Sequence, residues 1–219
     1  MLERHLQALR VERAGSEETA ATARTRLGGK FPRAALRRMT HLGMLVGSAL
    51  DGITLGPDDA LVYATTFAET RALEDYLTSF PAASPLLFQT SIHPGAVQQV
   101  LIGRQQPVGR FWPLTGRSHL IENMLLTALI EPATRVVVVG GEERGTWMLE
   151  HHMASDRAFA FAFTLTAEPA GAIGRVTFAP DPDGPAARGP AAAEFADALA
   201  ERRPLHWSGA GGAWTISWS

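Results

Sequence analysis

The chain has 219 residues, 46% of them hydrophobic and 19% charged, with a formal net charge of −2. These values suit one globular domain with a real core, and they exclude a disordered chain or a broadly basic nucleic-acid-binding surface. It contains no cysteine, which excludes disulfides, thiolate metal sites and cysteine nucleophiles together.

The opening MLERHLQALRVER is charged throughout and has no apolar signal core. No run approaches the ~18 apolar residues that a spanning helix needs, so a soluble, cytoplasmic protein without a membrane span is expected. Residues 1–30 read as a helical N-terminal arm anchored by Leu2, Leu6, Leu9 and Val11 and stopped by Gly28 and Gly29. Residues 31–219 then form one α/β domain. Over residues 36–50, Leu36, Met39, Leu42, Gly43, Val46, Ala49 and Leu50 share one helical stripe. Arg33, Arg37 and Arg38 crowd its first turn, where the helix dipole disfavours cations. Either a carboxylate or phosphate partner or plain solvation would satisfy them. His41 is read as a partly buried structural histidine.

Residues 60–65 (ALVYAT) read as a strand. Residues 69–80 read as an amphipathic helix with Leu73, Tyr76, Leu77 and Phe80 inward, ended by Pro81. A strand follows at 109–112, and residues 119–130 form a helix apolar nearly all round, with Pro132 just past its end. The four valines of residues 135–139 suit a strand buried on both faces. Two strands joined by such a helix make a right-handed βαβ unit. Residues 141–156 form a polar turn region with Trp147, His151 and His152. Residues 158–166 (AFAFAFTLT) alternate as a half-buried strand, with 173–178 as its partner and a turn at 169–171. A loop at 181–190, an amphipathic helix at 191–203, a turn at 209–212 and a closing strand at 214–218 complete the chain.

Two stretches carry a resemblance. Gly140, Gly141 and Glu143 match the strand end Gly-Gly-x-Glu that follows the nucleophile helix of β-ketoacyl synthases. Ser84, Pro85, Phe88, Ser91 and His93 match the Ser-Pro-x-x-Phe-x-x-Ser-Val-His-Asn segment of the β-ketoacyl synthase N-terminal-like family, with Pro94 in place of the asparagine. The chain thus resembles a half-length, ketosynthase- or chain-length-factor-like protein of the thiolase-like superfamily. The resemblance implies a central mixed sheet covered by helices, lacking the C-terminal half of a full ketosynthase. Such proteins usually begin with a β-strand, which residues 1–30 do not suggest. An ungapped count back from Gly140 places Leu114, Thr115, Gly116, Arg117 and Ser118 on the nucleophile turn, with Thr115 in the cysteine's position.

Condensation needs a thiolate, histidines and an oxyanion hole. The family's histidines come from a second α/β copy, so no condensing activity is expected. The competing chemistry is a hydroxyl nucleophile, Ser91 beside His93 or Ser118 beside His119 with Glu122 orienting, as in an acyl hydrolase or acyltransferase. The plainer reading makes Ser118 and His119 helix caps and His93 a packed turn residue. His93, His119, His151 and His152 lack metal-ligand spacing, and the glycines of VVVVGGEERG do not fit dinucleotide binding. No cofactor or metal is expected.

The resemblance further implies an accessory or chain-length subunit in fatty-acid, polyketide or aryl-polyene-type synthesis. It would pair through Gly109, Arg110, Phe111 and Trp112, with Leu114, Gly116 and Arg117 nearby. The partner would be a second copy or a full-length ketosynthase, with an acyl carrier protein as a further candidate. A homodimeric module binding an acyl chain or small ligand stays open as the alternative.

Overall fold

The computed structural model describes residues 1–184, 187–209 and 211–219. Its strands are β1 (Leu2–Arg13), β2 (Ala60–Thr65), β3 (Arg110–Thr115), β4 (Arg135–Glu142), β5 (Phe159–Thr166), β6 (Gly174–Pro180), β7 (Leu205–Gly209) and β8 (Gly212–Trp218). They form one mixed sheet in the order β3-β2-β4-β5-β1-β6-β8-β7. Among the described strands only the β2–β3 and β2–β4 pairs are parallel. The helices are α1 (Ala20–Leu27), α2 (Arg33–Leu36), α3 (His41–Ala49), α4 (Thr70–Thr78), α5 (Pro85–Thr90), α6 (Gly95–Arg104), α7 (Leu120–Ile130) and α8 (Ala192–Ala200).

Side-chain alternation along the strands builds a core on each face of the sheet. Val136 and Val138 join α7 and α8 in one core, and Val137 and Val139 join α1, α3 and α6 in the other. The two-sided burial expected of the valine run is therefore present, and α7 is buried along most of its length.

β5 departs from the half-buried expectation. All eight of its residues are buried. Phe159, Phe161 and Phe163 fill the α7–α8 core, while Ala160 and Ala162 face the other one. Their small side chains let α3 lie directly on the strand. A Cβ on Gly140 would stand 2.2 Å from Phe161 Cζ, so only glycine lets that ring cross β4.

The N-terminal arm is corrected. Residues 2–13 are the interior strand β1, antiparallel to β5 on one side and β6 on the other. Leu6 is 0% exposed there. A register shift between Leu6 and Leu9 moves the inward parity from even to odd positions. Leu2, Leu6, Leu9 and Val11 consequently all reach the same core, at a spacing that imitates a helix.

The helix at 36–50 is divided. Only Leu36 of it lies in α2, residues 37–40 are not helical, and the chain restarts at Thr40, whose hydroxyl accepts from Gly43 N at 3.0 Å to cap α3. The predicted orientation of 69–80 is reversed. In α4 the buried residues are Thr70, Ala72 and Glu74, whereas Leu73, Leu77 and Phe80 are exposed. Glu143 explains the turn-around, because its carboxylate accepts from Arg71 N (3.0 Å) and Ala72 N (3.2 Å) and pulls that face inward.

α5, α6 and β7 have no counterpart in the sequence reading. In α5, Ser84 caps Leu87 N at 3.3 Å and Pro85 occupies the first turn, where its missing N–H costs nothing. The expected loop at 181–190 and turn at 209–212 fall partly on residues 185, 186 and 210, outside the described residues.

Candidate functional site

The turn expected to match a nucleophile turn joins β3 to α7. Thr115 is the last residue of β3, paired with Thr65, and is exposed. α7 begins five residues later, and its N-cap is His119 in the left-handed region at φ 54°. A group activated by a helix N-terminus must stand at the cap. Thr115 sits short of it and His119 occupies it. The expected capping by Ser118 and His119 is not formed, since no side chain caps α7. The left-handed turn directs His119 Nδ1 to within 3.4 Å of Glu122 Oε1 instead.

Neither serine–histidine pair assembles a nucleophile. Ser91 Oγ donates to Phe88 O at 2.8 Å, a local bond at the end of α5. His93 stacks on Tyr63 with ring centroids 5.3 Å apart, and its Nδ1 lies 3.3 Å from Glu69 Oε2. His93 is thus the packed turn residue of the plainer reading. Ser118 is exposed and makes no side-chain hydrogen bond among the described residues. His41 is buried and paired with Glu18 at 3.1 Å. Among the described residues no group of three or more His, Cys, Asp or Glu is placed to hold a metal ion.

A cavity of about 540 Å³ opens at this turn. Its floor includes Leu120, Phe159 and the buried carboxyl of Glu142, and Arg117, Arg188 and His152 stand at its mouth. Arg117 lies over the Phe67 ring, 5.9 Å from its centroid. Arg188 Nη2 donates to Arg117 O at 3.3 Å.

Glu142 belongs to a set of buried carboxyls, with Glu69 and Glu143, that sequence reasoning missed. Glu142 accepts from Thr65 Oγ1 at 3.2 Å and also from Thr66 N. Glu69 accepts from Ala96 N at 2.9 Å. Burial pushes Glu142 up to about 7 and Glu143 up to about 8, against the backbone N–H groups that favour their charged forms. Tyr63 is fully buried between them, and desolvation together with Glu69, Glu142 and Glu143 raises its phenol. The signal was present in the sequence as two adjacent acids at the end of a buried strand.

β3 is an edge strand, bonded to β2 alone. Arg110 and Trp112 are exposed on it, and Phe111 and Leu114 are half-buried. Arg110 Nη1 and Trp112 Nε1 both donate to the buried carboxylate of Glu131, at 2.8 and 2.7 Å, which ties the edge to the end of α7. Gly109 packs inward, because a Cβ there would stand 2.1 Å from Pro57 O. Arg37 and Arg38 border a second cavity, of about 660 Å³, with Arg24 and Leu86 on its walls. Neither of the two has an acidic partner among the described residues.

The mixed sheet with helices on both faces and the β3–turn–α7 unit fit a thiolase-like α/β fold. Solved structures agree. One match is a ketosynthase in complex with its chain length factor from Xenorhabdus doucetiae, at TM-score 0.66 and 16% identity. It covers 99% of this chain and 100% of the matched chain. The ishigamide ketosynthase/chain length factor matches at TM-score 0.58 and 13% identity, over 85% of this chain and 66% of its own. No protein-family model and no curated protein matches the sequence. Among the described residues no helix is long and apolar enough to cross a membrane.

Proposed function

We propose that the chain is a non-catalytic, ketosynthase-like subunit of the chain-length-factor type, of the β-ketoacyl synthase N-terminal-like kind, acting in polyketide, fatty-acid or aryl-polyene-type synthesis. The observation that carries this reading is the turn before α7. In this reading the turn stands where the family presents its nucleophile, yet Thr115 is exposed and no base is bonded to it among the described residues. A hydroxyl needs an adjacent base within hydrogen-bond reach to attack a thioester. The structural likeness to ketosynthase and chain-length-factor complexes supports the same reading.

The partner is a full-length ketosynthase, met through the β3 edge. An unpaired edge strand with an exposed tryptophan offers backbone groups and apolar area for pairing. Leu77, Phe80 and Phe88, exposed on and after α4 and in α5, add apolar surface of the kind that marks interfaces. Arg24, Arg37 and Arg38 suit an acidic acyl carrier protein. Co-expression with a ketosynthase should yield a complex, and Trp112→Arg should weaken it roughly tenfold or more in a binding titration. If light scattering gave a monomer at all concentrations and no ketosynthase co-purified, the reading would fail. A dimer of this chain alone would favour the small-ligand module instead.

The purified chain incubated with acyl and malonyl carrier-protein thioesters should form neither an acyl-enzyme nor a condensed product by mass spectrometry. Thr115→Cys should not change that, because the substitution supplies a thiol and no base. An adduct on Thr115, Ser118 or Ser91 would make the hydroxyl-nucleophile reading correct.

A further inference from the structure

We propose that the cavity at the entry to α7 binds an organic carboxylate with an apolar body, held by Arg117 and Arg188. Three independent features converge there. The first is charge. Both guanidiniums stand at the same cavity, Arg188 anchored to the Arg117 carbonyl, and neither has an acidic partner among the described residues. A planar two-oxygen head matches the guanidinium fork. The Phe67 ring under Arg117 holds that guanidinium at the mouth without neutralising it.

The second feature is α7, an eleven-residue helix whose first turn has no side-chain cap and faces the same cavity. Its first-turn N–H groups and dipole favour negative charge, of which Glu122 in the same turn supplies part. The third is the floor. Leu120, Ala154 and Phe159 are buried apolar residues, and about 540 Å³ falls within the range of small-molecule pockets. The acids on the walls do not replace the ligand. Glu122 is bonded to Gly189 N (2.9 Å) and to His119. Glu142 is bonded to Thr65 and Thr66. Asp156 lies exposed.

The test is an NMR titration of the full chain with sodium octanoate, with 1-octanol as the same body lacking the charge. Octanoate should bind saturably, with shifts centred on the turn before α7 and on residues 188–193. The Arg117→Gln/Arg188→Gln double variant should bind roughly tenfold more weakly, since the charge-assisted bonds are lost. Both arginines are exposed, so an unchanged thermal midpoint will show that the variant is folded. Three results would overturn the proposal: no saturable octanoate binding, equal affinity in the double variant, or 1-octanol binding as tightly as octanoate. The measurement needs no ketosynthase, so its failure is distinct from failure of the subunit reading.

Discussion

A chain lacking residues 1–13 should give no cooperative unfolding transition, and Leu6→Asp in the intact chain should come close to the same result. β1 lies in the interior of the sheet, with β5 on one side and β6 on the other. Removing it strands the ladder groups of both neighbours and separates β6, β8 and β7 from the rest. Leu6 is 0% exposed and sits among Phe163, Val176 and α7–α8 residues. Replacing it with aspartate loses its apolar burial and places an unpaired charge in the core. Together these cost at least about 4–5 kcal/mol, against total stabilities of about 5–15 kcal/mol for typical domains. Circular dichroism and urea titration decide the matter. A surface arm would predict almost no loss in either variant, so a near-native midpoint would contradict the placement of β1.

β1 also shows how local pattern can mislead. Leu2, Leu6, Leu9 and Val11 are spaced as on a helix because the irregularity between Leu6 and Leu9 shifts the inward parity. A bulge forms against partner strands, and those partners lie more than 140 residues further along the chain. Arg4 disguised the strand further. It is a charged residue at an inward position, buried with its guanidinium donating to Glu131 O. By contrast the β2 and β4 strands and the α7 helix were legible, because each carries its burial in its own composition, while β5 was legible as a strand but not in its two-sided burial. α4 was legible as a helix but not in its orientation, which is set by Glu143, a residue from another strand end.

The candidate site was legible to the same degree. The resemblance located the strand–turn–helix, and Pro113, a residue that sheets tolerate mainly at edges, agrees with the open side of β3. The gap between Thr115 and the cap at His119 was implicit in the sequence, which places the helix from residue 119, but the ungapped count on its own takes no account of where a helix starts. The arginine pair at the cavity mouth was hidden. Arg117 and Arg188 are 71 positions apart and meet only through the fold.

Stability should fall as pH rises from about 5 to about 9, and Glu143→Gln should remove much of that fall. Glu142 and Glu143 both have folded values raised by burial, to about 7 and about 8. In the unfolded chain they titrate near 4.3. Between those values the folded state holds more protons than the unfolded state, so the linkage slope is negative. Their contribution is fully present below the unfolded value and is lost as pH passes through 7 and 8. With two such groups the slope reaches up to ~2.7 kcal/mol per pH unit in mid-range, as an upper bound that structural relaxation reduces. The acid side runs the other way. Glu18 is held below the usual range by its hydrogen bond to Arg26. Burial works against Asp59, but its bond to Arg135 prevails and its carboxyl is also lowered. Those two lose their stabilising effect as pH falls through their depressed values. Maximum stability is therefore expected in mildly acid solution. Urea midpoints at pH 5, 7 and 9 would measure this. Glutamine at position 143 keeps an oxygen for Arg71 N and Ala72 N and cannot ionise, so the variant should lie above the unmodified protein at pH 9 and approach it at pH 5. Parallel profiles for the two proteins would show that Glu143 does not carry the pH dependence.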